Sequence, residues 1–322
     1  VFIEEVFKEV ERGYEFSFRE ALEVVERCCL RDVLWLGDKL RDAFKGREVF
    51  TCSIINAKSG HCSQDCAFCA QSSYHRTSIR TYPLLSIDHM VREGIKREEE
   101  GATYYSFVTS GNMLSLREME DICEAAARLR QRTNLRLCAS LGQLDRERAS
   151  LLKEAGFSRY HHNLETSESF FPSICTTHSY REDLHTLEVA RSAGLEVCSG
   201  GIMGLGEEWS HRVELGCTLR DMEVESIPIN FLNPIPGTRL ESRGLLPPLD
   251  ALKCIFLFRL LNPSKDITIC GGREITLGDL QALVFFAGAN GLMIGNYLTT
   301  QGRDVSMDMS LIRTLGLEVR GR

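Results

Sequence analysis

The chain has 322 residues, 43% hydrophobic and 26% charged, which is enough apolar content for one large or two ordinary domains with a sizeable core. Its formal net charge of −7, with no obviously basic face, argues against a nucleic-acid partner. No apolar run reaches the ~20 residues of a membrane span, and the stretch from Cys254 to Leu261 is interrupted by Arg259.

Thirteen cysteines, an odd number far below the density of a disulfide scaffold, point to a reducing, cytoplasmic setting and to metal or reactive roles. The acidic, amphipathic start from Val1 to Lys8 is no secretory signal, and Val1 in place of Met leads us to expect that a few residues were lost or trimmed. Residues 1–48 read as a helical extension. Ser17 is placed to cap a helix from Phe18, and a second helix is expected over 33–44. Cys28 and Cys29 lie between them and read as small buried side chains.

From residue 49 a rhythm sets in. Short β-branched and apolar runs predict strands near 51–57, 103–109, 135–140, 158–164, 195–202, 226–232, 267–271 and 290–295. Amphipathic stretches predict helices over 86–100, 116–132, 144–155, 180–193, 208–223, 249–261 and 276–287, with Gly101, Gly156 and Gly194 as left-handed caps. Eight strands alternating with helices imply a (β/α)8 TIM-type barrel over 49–301, followed by a tail over 302–322.

The loop Cys62-Ser-Gln-Asp-Cys66-Ala-Phe-Cys69 follows strand one, at the barrel end where chemistry belongs. Three thiolates so close can bind one face of an iron–sulfur cluster and leave a metal corner open. A structural zinc site needs a fourth ligand nearby, and none follows.

With Phe68 before its last cysteine, this loop resembles the signature of the radical S-adenosylmethionine enzymes. Further motifs resemble the biotin synthases. They are Asn56-Ala-Lys-Ser-Gly60, Cys66-Ala-Phe-Cys-Ala-Gln-Ser-Ser73, His162-Asn-Leu-Glu-Thr-Ser167 and Thr176-Thr-His-Ser-Tyr180. Cys198-Ser-Gly-Gly-Ile-Met-Gly-Leu-Gly-Glu207, Ile227-Pro-Ile-Asn-Phe-Leu232, Pro236-Gly-Thr238 and Leu298-Thr-Thr300 extend the likeness over nearly the whole barrel.

The resemblance implies a [4Fe–4S] cluster on Cys62, Cys66 and Cys69 that holds S-adenosylmethionine at its open iron. A 5′-deoxyadenosyl radical would abstract hydrogen from dethiobiotin, and an auxiliary iron–sulfur cluster would give the sulfur that closes biotin's ring. Reduced flavodoxin or ferredoxin as electron donor and a homodimer are also implied. Phe68, Asn163, Glu165, Gly200, Ile202 and Gly204 match cofactor-facing positions, while Asn163, Asn230, Thr299 and Thr300 match substrate-facing ones. Glu165 is one methylene longer than the family's Asp, and Asp183 replaces an arginine that holds the carboxylate of S-adenosylmethionine. Arg181 is expected to take over that task.

The auxiliary site departs from the common [2Fe–2S] pattern of three cysteines and an arginine. Cys138 and Cys198 are kept, but Ser106 replaces the strand-two cysteine and Thr268 the strand-seven arginine. Cys270, two residues beyond Thr268, and Cys52, at even spacing from Asn56, share the inward faces. Cys52, Cys138, Cys198 and Cys270 would thus form one layer from strands one, three, five and seven, which favours a four-iron cluster. Cys123, Cys175, Cys217 and Cys254 read as packing residues, and Arg273 is given no ligand role.

Two other readings stand beside this one. The first is another radical enzyme, of methylornithine synthase or hydrogenase-maturation type; the Cys138–Cys198 pair and Thr299-Thr300 speak against it. The second is a non-catalytic iron–sulfur redox sensor, which would leave the Gly200–Glu207 segment without a purpose.

Overall fold

The computed structural model describes residues 2–321. Three helices, α1 (Phe2–Glu11), α2 (Phe18–Arg27) and α3 (Leu30–Lys45), precede the first strand. Ser17 caps α2 as its sequence predicts, accepting from the Glu20 amide while the Glu20 carboxylate accepts in return. Cys28 is buried as expected, whereas Cys29 is exposed because it stands at the N-cap of α3.

The barrel runs in order through β1 (Glu48–Lys58), α4 (Ile87–Glu100), β2 (Tyr104–Thr109), α5 (Leu116–Arg130), β3 (Arg136–Ser140), α6 (Arg146–Ala155) and β4 (Arg159–His161). It continues through α7 (Tyr180–Ser192), β5 (Glu196–Cys198), β6 (Gly201–Met203), α8 (Trp209–Asp221), β7 (Ser226–Phe231), α9 (Pro248–Leu261) and β8 (Asp266–Ile269). Two short helices, α10 (Arg273–Leu277) and α11 (Leu283–Phe286), lead to β9 (Gly291–Met293). Every neighbouring pair is parallel, and β9 returns to β1 through Phe50↔Gly291 and Cys52↔Met293, which closes the sheet. The fold is the expected (β/α)8 barrel, with its main apolar core between the strands and the surrounding helices.

The fifth barrel strand is split, β5 and β6 being its halves. A Cβ on Gly200 would stand 1.9 Å from the Pro228 carbonyl oxygen, so the break at Ser199-Gly200 brings two backbones closer than any other residue allows. Barrel strands six, seven and eight are therefore β7, β8 and β9.

One expectation is corrected here. The helix predicted over 276–287 is broken, because Gly278 has φ +51° and a 3₁₀ turn separates α10 from α11. The predicted tail is ordered: α12 (Val305–Thr314) leads to β10 (Glu318–Val319), which pairs with β1 at Glu48 and Val49. Arg273 anchors it, its Nη2 donating to Asp308 Oδ2 on α12 at 2.6 Å with both side chains buried. Among the described residues no helix is long and apolar enough to cross a membrane.

Candidate active site

Alternation along a strand decides what faces the barrel interior. Cys52 and Ile54 on β1, Tyr104, Ser106 and Val108 on β2, and Cys138 and Ser140 on β3 all line a cavity of about 450 Å³. The same parity puts Arg159, His161, Cys198, Thr268 and Cys270 on its wall.

The cysteine loop closes one end. Ser110 donates to the Gly60 carbonyl at 2.7 Å, and the Gln71 side chain accepts from the Gly60 amide. Asp65 ties the loop to the segment after β4, accepting from the Thr176 amide at 2.8 Å and the Thr176 hydroxyl at 2.6 Å. Burial alone would raise the Asp65 carboxyl, but these bonds hold it well below the usual carboxylate range. Cys62, Cys66, Cys69 and Phe68 consequently all face the cavity.

Cys52, Cys138, Cys198 and Cys270 all line the cavity wall. Cys270 makes a thiol–thiol contact with Cys52, and Cys198 lies within electrostatic reach of both. Phe50, Tyr104 and Cys138 pack with Cys52 as a small apolar group inside the barrel, apart from the main core. Burial raises the Cys138 thiol to about 12 and Cys198 to about 11, so a metal centre must displace both protons to bind there. The Ser106 hydroxyl, opposite Cys138 in the β2–β3 register, is buried without a partner. An orphaned donor beside a layer of thiols fits an anionic cluster in that space. Among the described residues no three His, Cys, Asp or Glu side chains converge on a single-ion site. The thiols of a cluster bind separate irons and stand further apart than the ligands of one ion.

Asn163, Glu165, Ile202, Asn230, Thr299 and Thr300 line the cavity, as expected. β4 stops at His161, so Asn163 and Glu165 reach it from a loop instead of a strand, Glu165 with φ +64°. Burial raises Glu165 to about 8, and its carboxylate oxygen accepts from Asn163 Nδ2 at 3.3 Å. Gly200 and Gly204 shape the backbone behind the wall; Gly204 donates its amide to Glu207 and Gly200 donates to Asn163 Oδ1. Thr109 Oγ1 and Gln143 Nε2, both on the wall, are buried without partners.

Arg181 does not take the predicted place. Its side chain is 88% exposed at the start of α7 and lies 3.9 Å from Glu168, because the first helical turn aims it at solvent. The Asp183 side chain turns inward instead, accepting from His162 Nε2 at 2.7 Å and His178 Nε2 at 3.2 Å. Burial pulls the His178 imidazole down, but Asp183 and Cys175 more than offset this and push it up to about 10. Cys175 is buried in the main core, as expected of a packing residue, and it also makes polar contacts. Its sulfur is 3.9 Å from that of Cys66 and 3.2 Å from His178 Nδ1. The C-x2-H spacing of Cys175 and His178 was a visible signal for it. Arg159 and His161 were equally open to the parity argument that turned Asn163 inward. Cys123, Cys217 and Cys254 lie on α5, α8 and α9, as expected of packing residues.

Residues 57–216 match the Radical SAM superfamily, and residues 228–318 match the Biotin and Thiamin Synthesis associated domain. The chain is 52% identical over 300 residues to the biotin synthase of Syntrophus aciditrophicus, covering 92% of each. It is 48% identical to that of Geotalea uraniireducens, covering 98% of this chain and 97% of the relative.

This chain belongs to the biotin synthase family.

The match to the associated domain takes in β8, β9 and most of β7. Among solved structures, methylornithine synthase superposes with a TM-score of 0.83 at 18% identity, covering 98% of this chain and 97% of that one. The FeFe-hydrogenase maturase of Carboxydothermus hydrogenoformans gives 0.81 at 14% identity, covering 98% of this chain and 78% of that one. Those likenesses are of fold alone.

Proposed function

We propose that this biotin synthase family member inserts sulfur into dethiobiotin to form biotin, using S-adenosylmethionine, a [4Fe–4S] cluster and an auxiliary iron–sulfur cluster. The observation that carries the reading is one cavity with the three loop thiols at its outer end and four strand thiols deeper in. When bound, the outer cluster and S-adenosylmethionine supply a carbon-centred radical, and the auxiliary cluster supplies the sulfur.

Cys62, Cys66 and Cys69 hold the first cluster, leaving an iron free for the cofactor. Cys52, Cys138, Cys198 and Cys270 hold the second, of four-iron type, in line with four inward thiols and with Thr268 in place of a guanidinium on β8. Phe68 and Ile202 wall the nucleoside side, while Asn163 and a neutral Glu165 hydrogen-bond there without adding charge. The His178 imidazole, hydrogen-bonded to Asp183, borders the cofactor's side of the cavity. Asn230, Thr299 and Thr300 orient dethiobiotin, the threonines hydrogen-bonding its carboxylate. Ile54, Val108, Pro228 and Met293 line the space between and keep water away. Reduced flavodoxin or ferredoxin supplies electrons to a homodimer, in a cytoplasm where thirteen free cysteines stay reduced.

Anaerobic incubation of the reconstituted, reduced protein with dethiobiotin and S-adenosylmethionine tests this. Biotin should form together with 5′-deoxyadenosine. Changing Cys62, Cys66 and Cys69 to Ala should abolish both while auxiliary iron and sulfide remain. Formation of 5′-deoxyadenosine without biotin in the unaltered protein would sink the reading.

A further inference from the structure

A layer of four thiolates with iron and sulfide is an anion buried in the barrel, and buried charge needs a partner. β8 offers none, since Thr268 faces the cavity there. Arg273, just after β8, is committed elsewhere: it donates to Gln281 and to Asp308 at 2.6 Å each.

The cation lies on β4. Arg159 is 5% exposed, lines the cavity and stands opposite Cys138 in the β3–β4 register. Its guanidinium lies over the Tyr104 ring, 4.6 Å from the centroid. Cys138 and Cys198 both lie on the cavity wall beside it.

Its charge is only partly offset by carboxylates. Arg159 Nε and Nη2 donate to Glu196 at 3.0 and 2.8 Å, but Arg136 draws on the same carboxylate at 2.5 Å. Asp266, 4.0 Å from Arg159, is held by Lys45 at 2.7 Å and Arg320 at 3.3 Å. Four cations thus face Glu196, Asp266 and the half-exposed Glu48, which pairs with Arg320. Of this group, Arg159 is the cation that lines the cavity with the thiols.

We propose that Arg159 is the positioning cation of the auxiliary site: its guanidinium offsets the charge of the cluster on Cys52, Cys138, Cys198 and Cys270 and sets that cluster's reduction potential. The inference rests on the ligand set given above. A task that falls to the seventh barrel strand in the common pattern is here met from the fourth. A nearby positive charge favours the reduced, more negative cluster, so its loss should lower the potential.

The test uses the full chain with Cys62, Cys66 and Cys69 changed to Ala, reconstituted anaerobically with ferrous iron and sulfide. Iron and sulfide are counted, and the potential is titrated by absorbance and electron paramagnetic resonance. Arg159→Met should keep the metal load and disfavour reduction tenfold or more, a fall of about 59 mV for one electron. Arg159→Lys should restore at least half of that fall. An unchanged potential at full load overturns the proposal. Absence of iron in the triple-Ala parent overturns the ligand set instead, and the proposal with it. Where circular dichroism shows Arg159→Met unfolded, Glu196→Gln decides. By freeing the guanidinium it should raise the potential, and no rise overturns the proposal.

Discussion

At the scale of single residues, the most informative side chains are polar groups buried where β-strand parity, more than residue type, decides the environment. Asp266 begins β8 and meets Lys45, Asn290 and Arg320. Burial would raise its carboxyl, yet these partners bring it down to about 2 from the ordinary 3.8. Its stabilising effect is therefore fully present above pH 3.8 and is lost as pH falls towards 2, on the order of 2 kcal/mol in all. Urea titrations at pH 7 and near pH 2 should show Asp266→Asn losing most of that amount at pH 7 and little near pH 2. Equal losses at both would contradict the assignment. Cys52 and Cys270 were legible in the sequence because even spacing from Asn56 and Thr268 fixes their side of the strand. The contact of Cys175 with Cys66 and the outward turn of Arg181 were not. Whether a thiol in a loop touches another 109 residues away, or an arginine at a helix start turns inward, depends on backbone directions that only the tertiary fold supplies.

At the scale of elements, strand and helix order were legible because the periodicity alternates and glycines end three of the units, Gly101, Gly156 and Gly194 having φ of +115°, +90° and +78°. The split of the fifth barrel strand was not, since Cys198-Ser-Gly-Gly-Ile202 reads equally well as one continuous strand. Gly200→Ala should destabilise by about 3 kcal/mol or more, because a carbonyl oxygen occupies the space of the new methyl. A urea midpoint near that of the unaltered chain would show that β7 yields. The ordered C-terminus was also missed, because a short amphipathic segment with two strand residues carries little periodic signal. Asp308→Ala leaves the Arg273 guanidinium buried without its closest carboxylate and should cost roughly 3–5 kcal/mol. Hydrogen exchange should then speed up across Val305–Thr314 before it does in the barrel strands. Uniform loss of protection would mean that α12 is part of the same cooperative unit.

At the scale of the whole molecule, eight strand–helix repeats were enough to foresee the barrel, and closure through β1 and β9 follows from that number. The structure adds the difference between the two ends. The loop of Cys62 and the Thr299-Thr300 pair lie beyond the C-terminal ends of strands. At the other end, Phe50, Tyr104 and Arg159 are almost wholly buried, and Glu196, Asp266, Lys45 and Arg320 cross-link beneath them. A chamber with a sealed floor behaves as a cul-de-sac, and its traffic must queue. Whatever goes to the innermost thiols arrives before the molecules bound nearer the mouth and is the last to leave. On the proposed ligand set, reloading those thiols therefore has to wait until the molecules nearer the mouth have gone. In such a vessel the schedule of turnover is set by architecture as much as by chemistry.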